Sequence, residues 1–384
     1  MYMHAIKNTR QYLRGIKANY INSNGFHTNR KIVVIESDDW GSIRMPSREI
    51  YEKLLEMGDP CDKDAFLKND SLEGEYDLSR LFEVLGKYKD KNGRHPCITA
   101  NFAVANPDFK KISTEDSNYS YLPFTKTYDE YYGSNVSIMK LIREGYSNHL
   151  FVPQLHCREH MNVARWMGDL NNNKRDVEIA FQNNMIGIGA SFSKTNIFGY
   201  MDAFNYDSSK ELENLKTIIA DASTIFEETF GYKSRTFVAS CYVWTNEIEK
   251  QLSAIGVEMI QTQFKQNVCP FKGTQFTFNK YHYTGQKNKF GQLYSVRNCS
   301  YESAYDQNFE SRADECVQSV KASFDACKPA IINSHRFNYI HSIDPENGEN
   351  GLKGLDAILR KLIETEPEIE FLSSVELLDI MSEV

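Results

Sequence analysis

The sequence predicts an α/β fold in which a largely parallel sheet is covered by helices. Three observations support this prediction. Apolar runs typical of strands alternate with helix-like segments from residue 31 to the end of the chain. Several of these runs end in short polar motifs, and parallel sheets carry their functional groups at such strand ends. No Pro/Gly/Ser-rich linker or internal repeat divides the 384 residues, so residues 31–384 are expected to form one domain.

The predicted elements follow in chain order. Residues 1–30 are expected to form an extension with a basic amphipathic helix at 4–21. Capping boxes at Ser208/Glu211 and Ser373/Glu376 mark the starts of two helices. The Pro-, Asn- and Gly-rich residues 344–351 are expected to form a loop. Strands are predicted at 31–37, 97–102, 150–156, 235–239, 257–261 and 369–372, and helices at 47–57, 78–89, 175–184, 211–230 and 246–255.

Two polar motifs stand at predicted strand ends. Asp38 and Asp39 follow the first strand, and His156 and His160 end the third. The spacing of the two histidines places both rings on one side of a helical turn. One carboxylate and two imidazoles can hold a divalent ion and leave positions open for water and substrate. The alternatives are a helix-capping turn for the carboxylates and a helix face with satisfied ring nitrogens for the histidines.

A third polar motif brings another histidine, because His335 follows the apolar run at 330–334. An imidazole is the side chain best suited to give a proton near neutral pH. A lone histidine is more often structural, but this one would be the third strand end to deliver a titratable group. His335 is therefore a candidate proton donor.

In this order, the motifs resemble those of the polysaccharide deacetylases, the NodB-homology group of carbohydrate esterases. That family has an Asp-Asp pair after a strand, then two histidines separated by three residues, and finally a strand that ends in a histidine. The corresponding stretches here are 36–41, 156–160 and 334–335. The resemblance implies an irregular (β/α) barrel and hydrolysis of acetyl groups on sugars.

The same resemblance implies a role for each matching residue. Asp38 would be the catalytic base and His335 the general acid. One divalent ion would be bound by Asp39, His156 and His160. Zinc is the first expectation for this ion, and cobalt, nickel or iron also suit the donor set.

The sequence departs from the family in the middle motif, where the arginine that usually orients the base is missing from the best match at 237–242. Arg297 and Arg336 are both candidates to replace it, and the sequence does not choose between them. Trp40, inserted in the first motif, and Tyr242 are further candidates for binding or orienting the substrate.

Composition excludes several classes of protein. The 44 basic and 52 acidic residues give a net charge of -8, which argues against nucleic acid as a main partner. No apolar stretch approaches the length of a transmembrane segment, and the mean hydropathy is -0.52. Eight cysteines without a CxxC pair or a recognisable signal peptide predict reduced thiols in a cytoplasmic protein. The oligomeric state is not predicted.

An aromatic-rich insertion is expected near residues 103–149, between the first two motifs. It could bind sugar, because pyranose rings stack on aromatic side chains, or it could be an ordinary packed insertion. The sequence leaves both readings open. The aromatic residues concerned are Tyr119, Tyr121, Phe124, Tyr128, Tyr131 and Tyr132.

The sequence thus predicts a metal-dependent hydrolase that removes acetyl groups from an acetylated carbohydrate, with an N-acetyl amide preferred over an O-acetyl ester. Two alternatives remain. The same scaffold could hydrolyse another carbon-nitrogen bond or a glycosidic bond. A protein that binds metal or carbohydrate without catalysis is the other alternative, and the missing middle-motif arginine favours it.

Overall fold

The computed structural model describes residues 21–112, 118–192, 199–268, 278–305 and 308–383. The helix predicted at 4–21 therefore lies outside the described residues, apart from its last position. The strands are β1 (Lys31–Trp40), β2 (Ile98–Ala103), β3 (Ala105–Pro107), β4 (Tyr121–Pro123), β5 (Phe151–Cys157), β6 (Thr236–Val238), β7 (Met259–Thr262), β8 (Lys265–Val268), β9 (Phe278–Tyr281), β10 (Leu293–Val296), β11 (Cys299–Ser300), β12 (Ala330–His335) and β13 (Ile369–Leu372).

Helices alternate with these strands along the chain. None of them, within the described ranges, combines the length and the apolarity needed to cross a bilayer. The helices are α1 (Arg48–Glu56), α2 (Ala65–Asn69), α3 (Glu75–Gly86), α4 (Phe124–Tyr132), α5 (Val136–Ser147), α6 (Val163–Asn171), α7 (Arg175–Gln182), α8 (Ser209–Phe230), α9 (Asn246–Ala254), α10 (Phe309–Asp325), α11 (Pro345–Thr365) and α12 (Ser374–Ser382).

Within the described ranges, nine strands form one sheet in the order β10-β7-β6-β5-β2-β1-β12-β11, and β13 pairs with the first part of β1. Every pair in this sheet is parallel. The predicted parallel sheet is therefore confirmed. Two antiparallel pairs, β3 with β4 and β8 with β9, lie outside it.

The two edges of the sheet meet, because only Arg297 and Asn298 separate β10 from β11. The backbone N–H of Arg297 donates to the carbonyl of Thr262 (2.8 Å), and that of Tyr301 donates to the carbonyl of Asn333 (2.8 Å). The chain from β10 to β11 is thus bonded to β7 at one end and to β12 at the other. The result is the irregular (β/α) barrel that the resemblance implied.

The central strand β1 shows how the barrel interior is divided. Its side chains alternate between two buried faces, as expected for a strand covered on both sides. Ile32 and Val34 pack into a small apolar cluster with Leu377 and Leu378 of α12. Two and four residues after Val34, on the same alternation, come Glu36 and Asp38, both buried. One end of the interior is therefore apolar and covered by α12, and the other end is polar.

Residues 344–351 were predicted as a loop, and this prediction is wrong, because they form the first turns of α11. Asp344 caps the helix and Pro345 occupies its first turn. The glycines are needed for close packing. A Cβ on Gly351 would lie 1.7 Å from the carbonyl oxygen of Asn338. Glycine here lets the helix press against the segment that follows β12.

Candidate metal centre and active site

Both aspartates at the end of β1 line the same cavity, although consecutive side chains of a strand point to opposite faces. The backbone of Asp39 explains this, because its φ of 75° lies in the left-handed region. The pairing of β1 with β2 is also irregular between Ser37 and Trp40. The strand therefore breaks at the residue where two adjacent carboxylates must share one site.

The structure brings Asp39, His156 and His160 together, with their ligand atoms all within 4.8 Å of one another. Oδ1 of Asp39 lies 3.4 Å from Nε2 of His156 and 3.3 Å from Nε2 of His160. The prediction that both histidines lie on one helical turn is wrong, because His156 belongs to β5 and His160 lies in an irregular bend after it. The rings meet because the chain turns back toward β1 directly after the strand.

This cluster fits a divalent ion. Buried Asp39 Oδ1 and His160 Nδ1 have no hydrogen-bond partner among the described residues, so the site contains polar atoms that the protein itself does not satisfy. Burial lowers the pKa of His160 to about 3, which keeps its ring in the neutral form that binds metals. Nδ1 of His156 donates to the carbonyl of Val238 (2.8 Å) and leaves Nε2 as the ligand atom.

Asp38 is held as a carboxylate by Arg297. Nη1 of Arg297 donates to Oδ2 of Asp38 (2.6 Å) and Nη2 donates to Oδ1 (2.7 Å). Asn101 Nδ2 donates to the same Oδ1 (2.7 Å). Burial alone would raise the pKa of Asp38, but the guanidinium outweighs it, and His156 and His335 contribute, so the pKa is about 2. Arg297, and not a residue of the stretch 237–242, therefore orients Asp38.

Arg297 also serves a second buried carboxylate. Its Nε donates to Oε2 of Glu36 (2.6 Å), and the hydroxyl of Ser374, the first residue of α12, donates to Oε1 (2.8 Å). Burial raises the pKa of Glu36, against the opposing effect of Arg297. Arg297 thus bonds both to Asp38, in the wall of the cavity, and to Glu36, which contacts α12 at the apolar end of the barrel.

His335 stands opposite Asp38, with 3.9 Å between its Nε2 and Oδ2 of Asp38. Its Nδ1 donates to Oε1 of Glu302 (2.6 Å), and Asn338 Nδ2 donates to Oε2 of Glu302 (2.8 Å). Burial would lower the pKa of His335, but Glu302 outweighs it and the aspartates add to the effect, so the pKa rises to about 9. At neutral pH the ring carries the proton that a general acid must donate.

Arg336 does not orient Asp38, so this candidate role is wrong. Its side chain is fully buried and binds Asp70 with two hydrogen bonds of 2.9 Å. Nη1 donates to Oε2 of Glu73 (2.6 Å) and to the carbonyl of Ser42 (2.7 Å). Glu73 in turn accepts from the N–H of Gly41 (2.9 Å). This ion-pair cluster holds the loop that follows Asp39.

Trp40 is not available to a substrate, so that candidate role is also wrong. Its side chain is 1 % exposed and packs edge-on against Phe151, with 4.8 Å between ring centroids. Its indole N–H donates to the hydroxyl of Ser37 (3.0 Å). Tyr242, in contrast, lines the cavity, and its hydroxyl accepts from Nη1 of Arg297 (2.8 Å).

The site opens into a cavity of about 570 Å³, a size usual for small-molecule ligands. Asp38, Asp39 and His335 lie in its wall, together with Arg44 and Phe66. The six aromatic residues proposed for sugar binding in the insertion near 103–149 are all described, and none of them lines this cavity. A second cavity of about 720 Å³ adjoins it.

Four residues of the site escaped sequence reasoning. Glu36 and Asn101 lie inside buried strands, and a polar side chain in such a strand needs a partner, which is a signal that could have identified them. Arg44 lies in the irregular segment after β1, and Glu302 follows the two-residue strand β11. Neither residue belongs to a sequence motif. Only the fold brings them to the cavity.

No protein-family model matches the sequence, and neither does any curated protein. Among solved structures, this one is similar to a 4-alpha-glucanotransferase from Thermococcus litoralis (9% identity, TM-score 0.46), covering 91% of this chain and 40% of that one. It is similar to a putative polysaccharide deacetylase from Mycobacterium smegmatis (10% identity, TM-score 0.43, 94% and 93% covered). A third is a CE4 family pseudoenzyme from Bacillus anthracis (12% identity, TM-score 0.40, 92% and 67% covered). Function must therefore be inferred from the residues of the site.

Proposed function

We propose that this protein is a metal-dependent hydrolase that removes acetyl groups from an N-acetylated, or less readily an O-acetylated, sugar or polysaccharide. One observation carries the proposal. A set of two histidines and one carboxylate shares one cavity with an ionised carboxylate, Asp38, and a protonated imidazole, His335. Hydrolysis of an amide needs these three parts together: an electrophile, a base and an acid.

Asp39, His156 and His160 would hold the ion. A divalent ion held there supplies Lewis acidity, which favours addition of water to a carbonyl and makes proton removal feasible for a base as weak as Asp38. Zinc fits this donor set, as do cobalt, nickel and iron. The hydrogen bond from His156 to the carbonyl of Val238 fixes the orientation of the ring, so its other nitrogen can bind the ion.

Asp38 takes the proton of the attacking water at Oδ2. Oδ1 already accepts two hydrogen bonds, from Asn101 and Arg297, whereas Oδ2 accepts one from Arg297. Oδ2 also lies 3.9 Å from Nε2 of His335. Arg297 keeps this carboxylate ionised and fixes its plane, so the base is ready at neutral pH.

His335 gives its Nε2 proton to the departing amine, which is a poor leaving group as an anion. Glu302 holds the opposite ring nitrogen and so directs Nε2 toward the cavity. Afterwards, transfer of the proton from Asp38 to His335 across the short gap restores both groups. The binding of Asp38 by Arg297 supports catalysis over the non-catalytic alternative, which the missing middle-motif arginine had favoured.

Two measurements test the proposal. Purified protein should contain about one divalent ion per chain, and His160→Ala should fold but lose most of it. The matched control is His27→Ala, which removes an exposed histidine and should keep the ion. The ion-loaded wild-type protein should release acetate from N-acetylated sugars in a screen of sugars and oligosaccharides. Equal metal content in all three proteins, or no acetate from any substrate, would contradict the proposal.

A further inference from the structure

Three arginines surround the active site, and they differ in how many partners they have. Arg297 and Arg336 are fully buried, and every guanidinium nitrogen of each donates to an oxygen of the protein. Such saturation is what burial of a guanidinium requires, since an unpaired buried charge is costly. Both side chains are parts of the scaffold, because buried carboxylates of the protein bind each guanidinium.

Arg44 is the exception. Its side chain is only 10 % exposed, yet among the described residues its polar partners are Asp39 Oδ2, at 3.3 Å, and the thioether sulfur of Met201. A thioether is a weak acceptor, and a guanidinium has five N–H donors. Most of the hydrogen-bonding capacity of Arg44 is therefore unused at the wall of the cavity.

The surroundings of Arg44 hold it in place for a ligand. Its guanidinium lies over the ring of Phe66, with 5.0 Å from Cζ to the ring centroid. Asp64 also lines the cavity, but its Oδ1 already accepts from the N–H groups of Phe66 and Leu67 at the start of α2. An ion held by Asp39 would take up much of the charge that now faces Arg44. The positive charge of the Arg44 guanidinium would then be only partly balanced by Asp39.

We propose that Arg44 binds an anionic oxygen group on the sugar, such as a carboxylate or a phosphate, so that the substrate is an acidic acetylated carbohydrate. The planar fork of a guanidinium matches both groups with two parallel hydrogen bonds. This inference rests on the proposed function for the identity of the ligand as a sugar. The anion site itself does not depend on turnover.

Binding of sulfate tests the anion site without any reaction. Isothermal titration calorimetry would compare the wild type with Arg44→Met and Arg48→Met, all saturated with the same divalent ion. Arg48 is the matched control, because it is exposed and pairs with Glu52 outside the cavity. We expect sulfate to bind Arg44→Met about tenfold more weakly than the wild type, and Arg48→Met to match the wild type. Equal affinity of wild type and Arg44→Met, or no binding to the wild type, would overturn the proposal.

Matched substrates then identify the anion. N-acetylmuramic acid and N-acetylglucosamine 6-phosphate each add one acidic group to N-acetylglucosamine, a carboxylate in the first and a phosphate in the second. The wild type should favour one acidic sugar over the neutral one, and Arg44→Met should abolish that preference in kcat/KM. A preference unchanged by the substitution would contradict the inference. Release of no acetate, combined with Arg44-dependent sulfate binding, would refute the proposed function and leave the anion site standing.

A second variant covers a folding failure. If Arg44→Met is not folded by circular dichroism, Arg44→Lys keeps a cation beside Asp39 but removes the fork. It should keep the ion and discriminate acidic from neutral sugars less than the wild type does. Wild-type discrimination by Arg44→Lys would count against recognition by a fork.

Discussion

Replacing Glu302 by Gln tests the link between the acid and its supporting carboxylate. Glu302 accepts the Nδ1–H of His335 at 2.6 Å and is the main reason that the pKa of His335 is raised to about 9 in spite of burial. Glutamine has nearly the same shape and removes only the negative charge. The ring should stay in the cavity, but its proton should be held less tightly.

The size of the effect follows from this hydrogen bond. A hydrogen bond to a charged group contributes about 1.5–3 kcal/mol, and one pKa unit corresponds to about 1.4 kcal/mol. In the Glu302→Gln variant the pKa of His335 should therefore fall from about 9 to about 7–8. Because the acid must be protonated, kcat/KM falls as pH rises through this pKa, and the alkaline limb should move to lower pH by the same amount.

The assay is the pH dependence of kcat/KM for amide hydrolysis by ion-loaded enzyme. Glu310→Gln is the matched control, since Glu310 is exposed on α10 and its loss changes the net charge equally. Its alkaline limb should coincide with that of the wild type. A Glu302→Gln variant that is folded and keeps the wild-type alkaline limb would refute the reasoning that Glu302 sets the pKa of His335.

Stability gives a second readout of the same link. His335 has a folded-state pKa above its ordinary value of 6.5, so its contribution to stability is fully present below pH 6.5 and is lost as pH rises through about 9. The thermal midpoint of the wild type should therefore fall as pH rises from 6.5 to about 9. Glu302→Gln should show a smaller loss, ending at lower pH.

Three further substitutions separate the remaining parts of the site. Asp38→Asn should keep the ion but lose turnover, because we propose Asp38 as the base and not as a ligand; metal analysis and acetate release would show loss of both if it were a ligand. Arg297→Met leaves two buried carboxylates unpaired and should lower the free energy of unfolding by about 3–5 kcal/mol. Since those carboxylates then take up protons, urea denaturation should show a larger loss at about pH 8 than at about pH 5; an equal loss would argue that they stay ionised. Arg336→Met should release the loop after Asp39 and weaken ion binding in folded protein, and unchanged affinity in a metal titration would show that the loop holds itself.

The sequence predicted the parts of the site that stand at the ends of long strands. The run before Asp38 has four successive β-branched apolar residues, 32–35, and the run before His335 begins with Ala, Ile and Ile at 330–332, which is enough to place a strand and therefore its end. The resemblance then supplied an expected order for the motifs. The structure places Asp38, Asp39 and His335 around one cavity, as this reasoning required.

The sequence could not choose between Arg297 and Arg336, and the reason is physical. Arg297 lies between β10 and β11, which have four and two residues and are too short to show a period. Only the closure of the barrel brings this arginine to Asp38. Arg336 is adjacent to His335 in sequence, but consecutive residues diverge at a strand end, and its side chain reaches Asp70 instead.

Local patterns also misled where tertiary packing decides the conformation. The four-residue spacing of His156 and His160 indicated a helical turn, yet the same spacing spans a strand end and a bend. Residues 344–351 have the composition of a loop because Gly351 must let α11 approach Asn338 closely. In both cases the pattern reflects a requirement of the tertiary structure, and it does not indicate the local secondary structure that it suggested.

The segment after β12 joins the three functional parts of the site. His335 ends the strand as the candidate acid. One residue later, Arg336 binds Glu73 and the carbonyl of Ser42, and these contacts hold the loop that follows Asp39. Three residues after the acid, Asn338 binds Glu302, the carboxylate that retains the acidic proton. The acid and the ion ligands are also neighbours in the sheet, because β1 pairs with β12 and Asp38 lies directly opposite His335. The 3-10 turn after β12 therefore adds side-chain support to a geometry that the pairing of β1 with β12 already fixes.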